Sequence, residues 1–116
     1  MFRTIVKIKF SAAHFLRSYK GKPEEIHGHN YLLEVYINSD KLNDEEITYD
    51  FLEIENFLKC LVPDRKFLNE FYDFNPTCEN LAKFFYKKIK EKYPNLEKVV
   101  LWETENFGIE YSESKS

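Results

Sequence analysis

Two stretches in the first third of the chain alternate between apolar and polar residues. From Phe2 to Phe15 the even positions are mostly apolar and end on His14, whereas the odd positions are mostly Lys, Arg and Ser. From His27 to Ser39 the odd positions carry the apolar side chains. Because successive side chains of a β-strand point to opposite faces of a sheet, this period of two predicts two strands, each with one buried face. Residues 16–26 contain Gly and Pro and predict a loop between them.

The hydrophobic period changes after the second predicted strand. Residues 51–61 place apolar side chains, Phe51 among them, on one face of a helix that follows the candidate cap Asp50. Thr77 is the candidate cap of a second helix, with Leu, Phe and Ile at helical spacing. We predict a loop over residues 64–76, between the two helices.

Two further strands complete the predicted order of elements. They cover residues 98–104 and 107–112 and are joined by a turn. The order β-β-α-α-β-β predicts an α+β fold, a four-stranded antiparallel sheet with two helices packed on one face. We expect a single domain over residues 1–112 and a disordered tail over residues 113–116.

Composition and charge restrict the class of protein. The 116 residues and 14.0 kDa suit one domain, and an aromatic content of 17% supplies a core that a disordered chain lacks. The net charge of −3 is spread without a basic stripe, which argues against a nucleic-acid partner. No apolar run is long enough to span a membrane, and the first ten residues do not resemble a signal peptide. We therefore expect a cytoplasmic protein whose two cysteines are free thiols.

All three histidines of the chain are predicted to meet at one end of the first hairpin. His27 and His29 are two positions apart on a strand, so both side chains leave the same face, and His14 closes the preceding strand on its apolar face. Three neutral imidazoles with an open fourth position form the ligand set of a catalytic zinc site. The alternative is a set of core histidines with their ring nitrogens satisfied. That alternative is common for one histidine, but it explains three converging histidines poorly.

Five segments of the sequence occur in an order and spacing that resembles one known family. They are "FSAAHFL", "HGHNY", "YDFLEIENFLK", "NPTCENLA" and "WETENF". Over nearly its whole length the chain resembles the 6-pyruvoyltetrahydropterin synthase / 6-carboxytetrahydropterin synthase family. The resemblance implies the tunnelling fold, in which three subunits close their sheets into a barrel and two rings stack into a homohexamer, a dimer of trimers. It also implies Zn2+ on the three histidines.

The same resemblance implies a pterin substrate and the residues that bind it. Glu103 matches the family's C-terminal glutamate, whose carboxylate accepts two N–H bonds from the 2-amino and N3 edge of the pterin. Thr77 and Glu79, in "PTCEN", match the segment that helps hold the pterin ring. Taken alone, Glu103 would be a solvated acid at a strand end, Thr77 a helix cap and Glu79 a favourable acid in a first turn.

The sequence departs from the family's better-known members at the catalytic relay. Pro23 stands where they have a cysteine, and their Asp-His pair falls on Asp64 and Arg65. An arginine stays protonated, so Arg65 cannot act as a general base. Glu24, three residues before His27, resembles the glutamate that replaces the cysteine in one branch of the family. The resemblance therefore implies Glu24 and Asp64 as the catalytic residues, with Glu25 as a competitor of Glu24 on sequence grounds.

The expected function is that of a zinc-dependent lyase acting on a C–C or C–O bond of a pterin. The glutamate branch cleaves the side chain of 7,8-dihydroneopterin to give 6-hydroxymethyl-7,8-dihydropterin. The alternatives are 6-pyruvoyl- or 6-carboxytetrahydropterin synthesis by an altered relay, and a zinc- and pterin-binding paralogue without turnover. Two side chains keep two interpretations each: Arg65 binds a substrate phosphate or pairs with Asp64, and Cys78 is a thiol of lowered pKa or a packing residue.

Overall fold

One mixed sheet with helices on one face forms the described part of the chain, residues 1–113 of a computed structural model. In chain order the elements are β1 (Phe2–His14), β2 (His27–Ser39), α1 (Phe51–Leu61), β3 (Lys66–Phe67), α2 (Leu68–Phe71), α3 (Cys78–Lys92), β4 (Leu96–Trp102) and β5 (Gly108–Tyr111). The α+β class and the order of the main elements are confirmed.

The strands lie in the order β3-β1-β2-β4-β5, and every pairing is antiparallel except that of β3 with β1. The long hairpin of β1 and β2 dominates the sheet, with Phe2 opposite Ser39 at one end and His14 opposite His27 at the other. Its loop end is therefore where the chain places its histidines.

The core lies between the sheet and helices α1 and α3. The even positions of β1 and the odd positions of β2 face it, as the alternation predicts. Its fully buried members include Leu33, Val35, Ile37, Ile54, Leu58, Leu81, Phe85, Ile89, Val99 and Leu101. Phe51 is an exception, because it is the first residue of α1 and is 65% exposed instead of facing the core.

The connection between α1 and α3, predicted as a loop, contains the short strand β3 and the short helix α2. The N–H of Arg65 donates to the carbonyl of Ser11 (2.6 Å), and the N–H of Ser11 donates to the Asp64 carboxylate (2.9 Å). Asn69 exchanges two hydrogen bonds of 2.9 Å with the backbone of Phe15. These bonds satisfy the end of the edge strand β1, which explains a fifth strand where four were predicted.

Two further sequence-based expectations concern the whole chain. No helix within residues 1–113 is long and apolar enough to cross a membrane. Of the tail predicted to be disordered, residues 114–116 lie outside the described part, whereas Glu113 accepts a hydrogen bond of 2.7 Å from the Tyr111 hydroxyl.

Candidate active site

The three histidines meet at the loop end of the β1–β2 hairpin. His14 lies directly opposite His27, and His29 lies two residues further along β2 on the same face. The nitrogen that each ring offers lies within 4.8 Å of those of the other two. The sequence-based prediction that these side chains converge agrees with this geometry.

Backbone carbonyls orient two of the imidazole rings. The Nδ1–H of His14 donates to the carbonyl of Pro76 (2.8 Å), and the Nδ1–H of His27 donates to the carbonyl of Glu25 (2.9 Å). Because a carbonyl only accepts, each Nδ1 carries a proton, and in the neutral form of the ring the lone pair lies on Nε2. A metal-binding histidine is held in this way, with the second nitrogen donating to a fixed acceptor.

Orphaned ring nitrogens show that a metal ion fits the cluster. The Nε2 atoms of His14 and His29 are buried and have no hydrogen-bond partner among the described residues. Burial lowers the pKa of His29, and the neighbouring His14 and His27 lower it further, against the opposing effect of Glu103. The lowered pKa favours the neutral imidazole at His29, which is the form in which a histidine can bind a metal. A group of three such nitrogens could hold a transition-metal ion such as zinc.

Glu103 brings a carboxylate to the edge of the histidine cluster. It directly follows β4, and one of its oxygens lies 3.5 Å from the Nε2 of His29 while the other lies 4.0 Å from the Nε2 of His14. The same residue lines an open cleft of about 360 Å³, which we call the Glu103 cleft. Its lining residues are Leu16, Thr77, Cys78, Glu79, Glu103, Phe107, Gly108 and Ile109.

Thr77 and Glu79 share this cleft with Glu103. Thr77 also caps α3, because its hydroxyl accepts a hydrogen bond of 3.1 Å from the N–H of Asn80. Thr77 therefore caps the helix, as the sequence predicts, and also lines the cleft. Glu79 lies exposed in the first turn of α3. The chain therefore brings Thr77, Glu79 and Glu103 together around one opening.

Cys78 is a packing residue in this structure. Its side chain is buried, and its thiol donates a hydrogen bond of 3.4 Å to the carbonyl of Leu101. Burial raises its pKa to about 12, with further contributions from Glu103 and Glu79. The pKa of Cys78 is thus raised, whereas its position at a helix N-terminus suggested that it could be lowered.

Of the two neighbouring glutamates, Glu24 is the one whose carboxylate affects a histidine of the cluster. Its carboxylate accepts a hydrogen bond of 2.8 Å from the N–H of Leu16, whose carbonyl accepts one of 3.0 Å from the N–H of Glu24. The charge of Glu24 opposes the effect of burial on His29 and raises the pKa of that imidazole. The side chain of Glu25 is exposed, and only its carbonyl contacts the cluster.

Neither Asp64 nor Arg65 forms a hydrogen bond or an ion pair with the three histidines. The Asp64 carboxylate accepts the N–H of Ser11 at the sheet edge. Arg65 adopts a left-handed backbone (φ 60°) and forms no ion pair with Asp64. Arg65 lines an open surface cleft that Gly28 and His29 also line. Surface pairing of Arg65 with Asp64, one of the two interpretations from the sequence, is thus not what the structure shows.

Sequence reasoning missed the residues that act through their backbone. The carbonyls of Pro76 and Glu25 hold two of the rings, and the backbone of Leu16 holds Glu24. A carbonyl is present at every position of a chain, so no residue type marks it in advance. The sequence predicts Phe107 only as the first residue of a strand, whereas it lines the Glu103 cleft.

The fold and the three-histidine site together define a class of tunnelling-fold protein with a candidate metal centre. The family model for 6-pyruvoyl tetrahydropterin synthase matches residues 4–114. The chain belongs to the 6-pyruvoyl tetrahydropterin synthase family, as its five sequence segments predict.

The proteins similar to this chain include pterin enzymes of two different names. A 6-carboxy-5,6,7,8-tetrahydropterin synthase of Aquifex aeolicus is 34% identical over 120 residues, covering 76% of this chain and 74% of that protein. A dihydroneopterin monophosphate aldolase of Pyrococcus furiosus is 33% identical over 113 residues, covering 93% and 95%. Among solved structures, the 6-pyruvoyl tetrahydropterin synthase of Caenorhabditis elegans superimposes with a TM-score of 0.81 at 24% identity, covering 97% of this chain and 96% of that one. This superposition confirms the fold.

Proposed function

We propose that the protein is a zinc-dependent lyase that cleaves the side chain of 7,8-dihydroneopterin, free or phosphorylated, to give 6-hydroxymethyl-7,8-dihydropterin. The observation that carries the proposal is the position of Glu24, a carboxylate held by the backbone of Leu16 beside the three histidines. The similarity to the dihydroneopterin monophosphate aldolase over 93% of the chain supports the same reaction.

The usual relay of cysteine and histidine has no counterpart in this chain. The three histidines form one cluster, so none remains to act as a relay. Of the two cysteines, Cys60 lies on the exposed side of α1 and Cys78 is a buried thiol whose pKa is raised. Two carboxylates then remain near the cluster, Glu103 and Glu24. Because Glu103 is assigned to the edge of the pterin, Glu24 is the proposed general base, a role that the protonated Arg65 cannot take.

In the proposed reaction, different residues bind the pterin ring and the metal. The Glu103 carboxylate holds the 2-amino and N3 edge of the pterin, with Thr77 and Glu79 on the same cleft. Zinc, when bound by the three imidazoles, supplies a Lewis acid that makes the hydroxyls of the substrate side chain more acidic.

Glu24 takes the proton of the C2′ hydroxyl in this scheme. The C2′–O bond becomes a carbonyl, the C1′–C2′ bond breaks, and its electron pair passes through C1′ and C6 to N5 of the pterin ring. Protonation of C1′ completes 6-hydroxymethyl-7,8-dihydropterin, and C2′ and C3′ leave as glycolaldehyde or its phosphorylated form. The reaction balances without an oxidant or a reductant.

Structures of the same fold give Glu24 further support by analogy. A Plasmodium vivax 6-pyruvoyltetrahydropterin synthase has been solved with alanine and with cysteine in place of a glutamate described as a catalytic residue. The alanine form superimposes on this chain with a TM-score of 0.63 at 14% identity.

A second candidate function is 6-carboxytetrahydropterin synthesis. The relatives from Aquifex aeolicus and Haemophilus influenzae carry that name, at 34% and 25% identity. Production of 6-pyruvoyltetrahydropterin is the other reaction of this kind. A pterin- and zinc-binding paralogue without turnover is the non-catalytic alternative, favoured by the absence of a cysteine at Pro23 and of a histidine at Arg65.

We further propose that the protein works in the cytoplasm as a homohexamer, a dimer of trimers. Support comes from the free thiols of Cys60 and Cys78 and from the outer edge of β1, where residues 2–10 have no strand partner within the described chain. In such an assembly Asp64, exposed at this edge, would be available to the site of a neighbouring subunit.

Product identification tests the proposal. The zinc-loaded protein is incubated with 7,8-dihydroneopterin, its monophosphate and its triphosphate, and the pterins are separated and identified by mass spectrometry. We expect 6-hydroxymethyl-7,8-dihydropterin. A 6-carboxy or 6-pyruvoyl product would replace this proposal by the second candidate, and tight pterin binding without any product would leave only the paralogue.

A further inference from the structure

An exposed aromatic side chain stands on the wall of the Glu103 cleft. Phe107 is 71% exposed. It lies in the turn between β4 and β5 and lines the same cleft as Glu103, Thr77 and Glu79. Nothing within the described chain packs over the ring, so the turn presents an apolar surface to the opening of the cleft.

The turn that carries Phe107 is held by several hydrogen bonds. The N–H of Glu103 donates to the carbonyl of Phe107 (2.9 Å), which also accepts the N–H of Thr104 (3.3 Å). The Thr104 hydroxyl accepts the N–H groups of Asn106 and Phe107, each at 3.1 Å. Glu103 and Phe107 are therefore fixed relative to each other by a direct backbone bond.

Close packing at the next residue anchors the turn on the sheet. A Cβ at Gly108 would lie 2.8 Å from the Trp102 ring, so the glycine lets the backbone rest against the indole. The indole N–H in turn donates to Glu34 (2.9 Å). The aromatic ring of Phe107 therefore projects from a short turn that is held by hydrogen bonds and by packing on Trp102.

We infer that Phe107 is a ligand-binding residue that stacks on the flat face of the pterin ring whose edge Glu103 binds. A pterin presents a hydrogen-bonding edge and two apolar faces, and the cleft offers a carboxylate for the edge and an exposed ring for a face. Offset stacking of aromatic rings adds affinity beyond the area that it buries. The inference rests on the proposed function, because it takes a pterin as the occupant of the cleft.

A second copy of the chain is the alternative partner that could cover the exposed Phe107 ring. The pterin is favoured because Phe107 shares its cleft with a carboxylate and a threonine, polar groups that a stacked heterocycle can use. A purely apolar docking surface would be expected to continue around the ring, yet the adjoining turn residues Glu105 and Asn106 are exposed and polar.

Binding of neopterin, a fluorescent oxidised analogue, tests the inference on the zinc-loaded protein without turnover. We expect the Kd to rise about 5- to 30-fold in Phe107→Ala and to return close to the wild-type value in Phe107→Tyr. Phe51→Ala is the matched control, since Phe51 is 65% exposed at the start of α1 and lies away from the cleft. Its Kd should not change.

The outcomes separate this inference from the proposed function. Unchanged affinity in Phe107→Ala, or no recovery in Phe107→Tyr, overturns the stacking role while leaving the proposed function intact. A loss of affinity that appears only together with a fall in the native mass also overturns it, since Phe107 would then serve assembly. If the wild-type protein does not bind neopterin at all, the proposed pterin function itself fails, and the inference fails with it.

Discussion

At the scale of single residues, surroundings decide which groups near the histidines can do chemistry. Cys78 and Glu24 are two candidate groups whose surroundings differ. Burial and two nearby carboxylates raise the pKa of the Cys78 thiol to about 12, which keeps it protonated. Glu24 is half-buried and is aligned by the backbone of Leu16. The protonated thiol of Cys78 is therefore unsuited to replace the catalytic cysteine that is missing at Pro23. The carboxylate of Glu24 can instead act as a base.

Thiol alkylation tests this distinction. At pH 8 a thiol with a pKa of about 12 is ionised in only about 1 molecule in 10,000, and the thiolate is the reactive form. We expect iodoacetamide to modify the exposed Cys60 quickly and Cys78 far more slowly, as measured by peptide mass spectrometry. The variant Cys60→Ser should remain largely unmodified over the same time. Equal rates at the two positions would show that Cys78 is accessible and ionised.

The residues of the candidate site differ in how far the sequence predicts them. The convergence of the three histidines follows from strand period and hairpin register, because His27 and His29 share a face and His14 ends the partner strand. The carbonyl of Pro76, which fixes His14, was not predictable, since a backbone contact across 62 residues leaves no mark in the sequence. The cleft around Glu103 needed the family resemblance, because one acid among 20 carries no signal by itself.

At the scale of elements, the β4–β5 hairpin depends on one small residue. Gly108 leaves room for the Trp102 ring, and the connecting turn holds both Glu103 and Phe107. The hairpin itself was predicted from its short apolar runs. By contrast, β3 and α2 were missed, because a strand of two residues and a helix of four are too short to show any period. Hydrogen bonds to β1 form them instead.

The substitution Gly108→Ala should destabilise the protein. Its new methyl group would lie 2.8 Å from the Trp102 ring and 3.0 Å from the carbonyl of Leu101, and such overpacking costs about 1–3 kcal/mol. Thermal unfolding of the metal-free protein measures the change in Tm.

Gly28→Ala is the control for that experiment. A Cβ at Gly28 would meet only the Ala12 carbonyl, at an ordinary 3.6 Å. We expect its Tm to stay near that of the wild type. Similar Tm values for the two variants would mean that the contact between Gly108 and Trp102 does not limit the packing of the turn.

At the scale of the whole molecule, the sheet is open, with an unpaired edge on each side of the described chain. The strand β3 covers only Ala12 and Ala13 of β1, and β5 ends the other side of the sheet. Two apolar side chains on the uncovered half of β1, Phe2 and Ile5, are each 49% exposed. Open edges of this kind promote pairing with another chain, and closure into a barrel removes them.

Native mass spectrometry tests the proposed assembly. We expect a species of six times the 14.0 kDa chain mass, with a trimer as the dissociation product. The variant Ile5→Lys places a charge on the uncovered half of β1 and should shift the distribution towards smaller species, whereas Leu52→Lys, at an exposed site on α1, should not. A wild-type monomer at micromolar concentration would contradict the hexamer.

The central claim is that Glu24 is the base beside a zinc ion held by three histidines. Its most direct test is the rate of formation of 6-hydroxymethyl-7,8-dihydropterin by zinc-loaded Glu24→Gln and Glu25→Gln, with the zinc content of each variant measured on the same sample. Glutamine keeps the size of the side chain but cannot take a proton, so general-base catalysis of about 100-fold or more should be lost in Glu24→Gln. We predict that loss with a full complement of zinc in Glu24→Gln and near wild-type turnover in Glu25→Gln. Undiminished turnover in Glu24→Gln would contradict the claim.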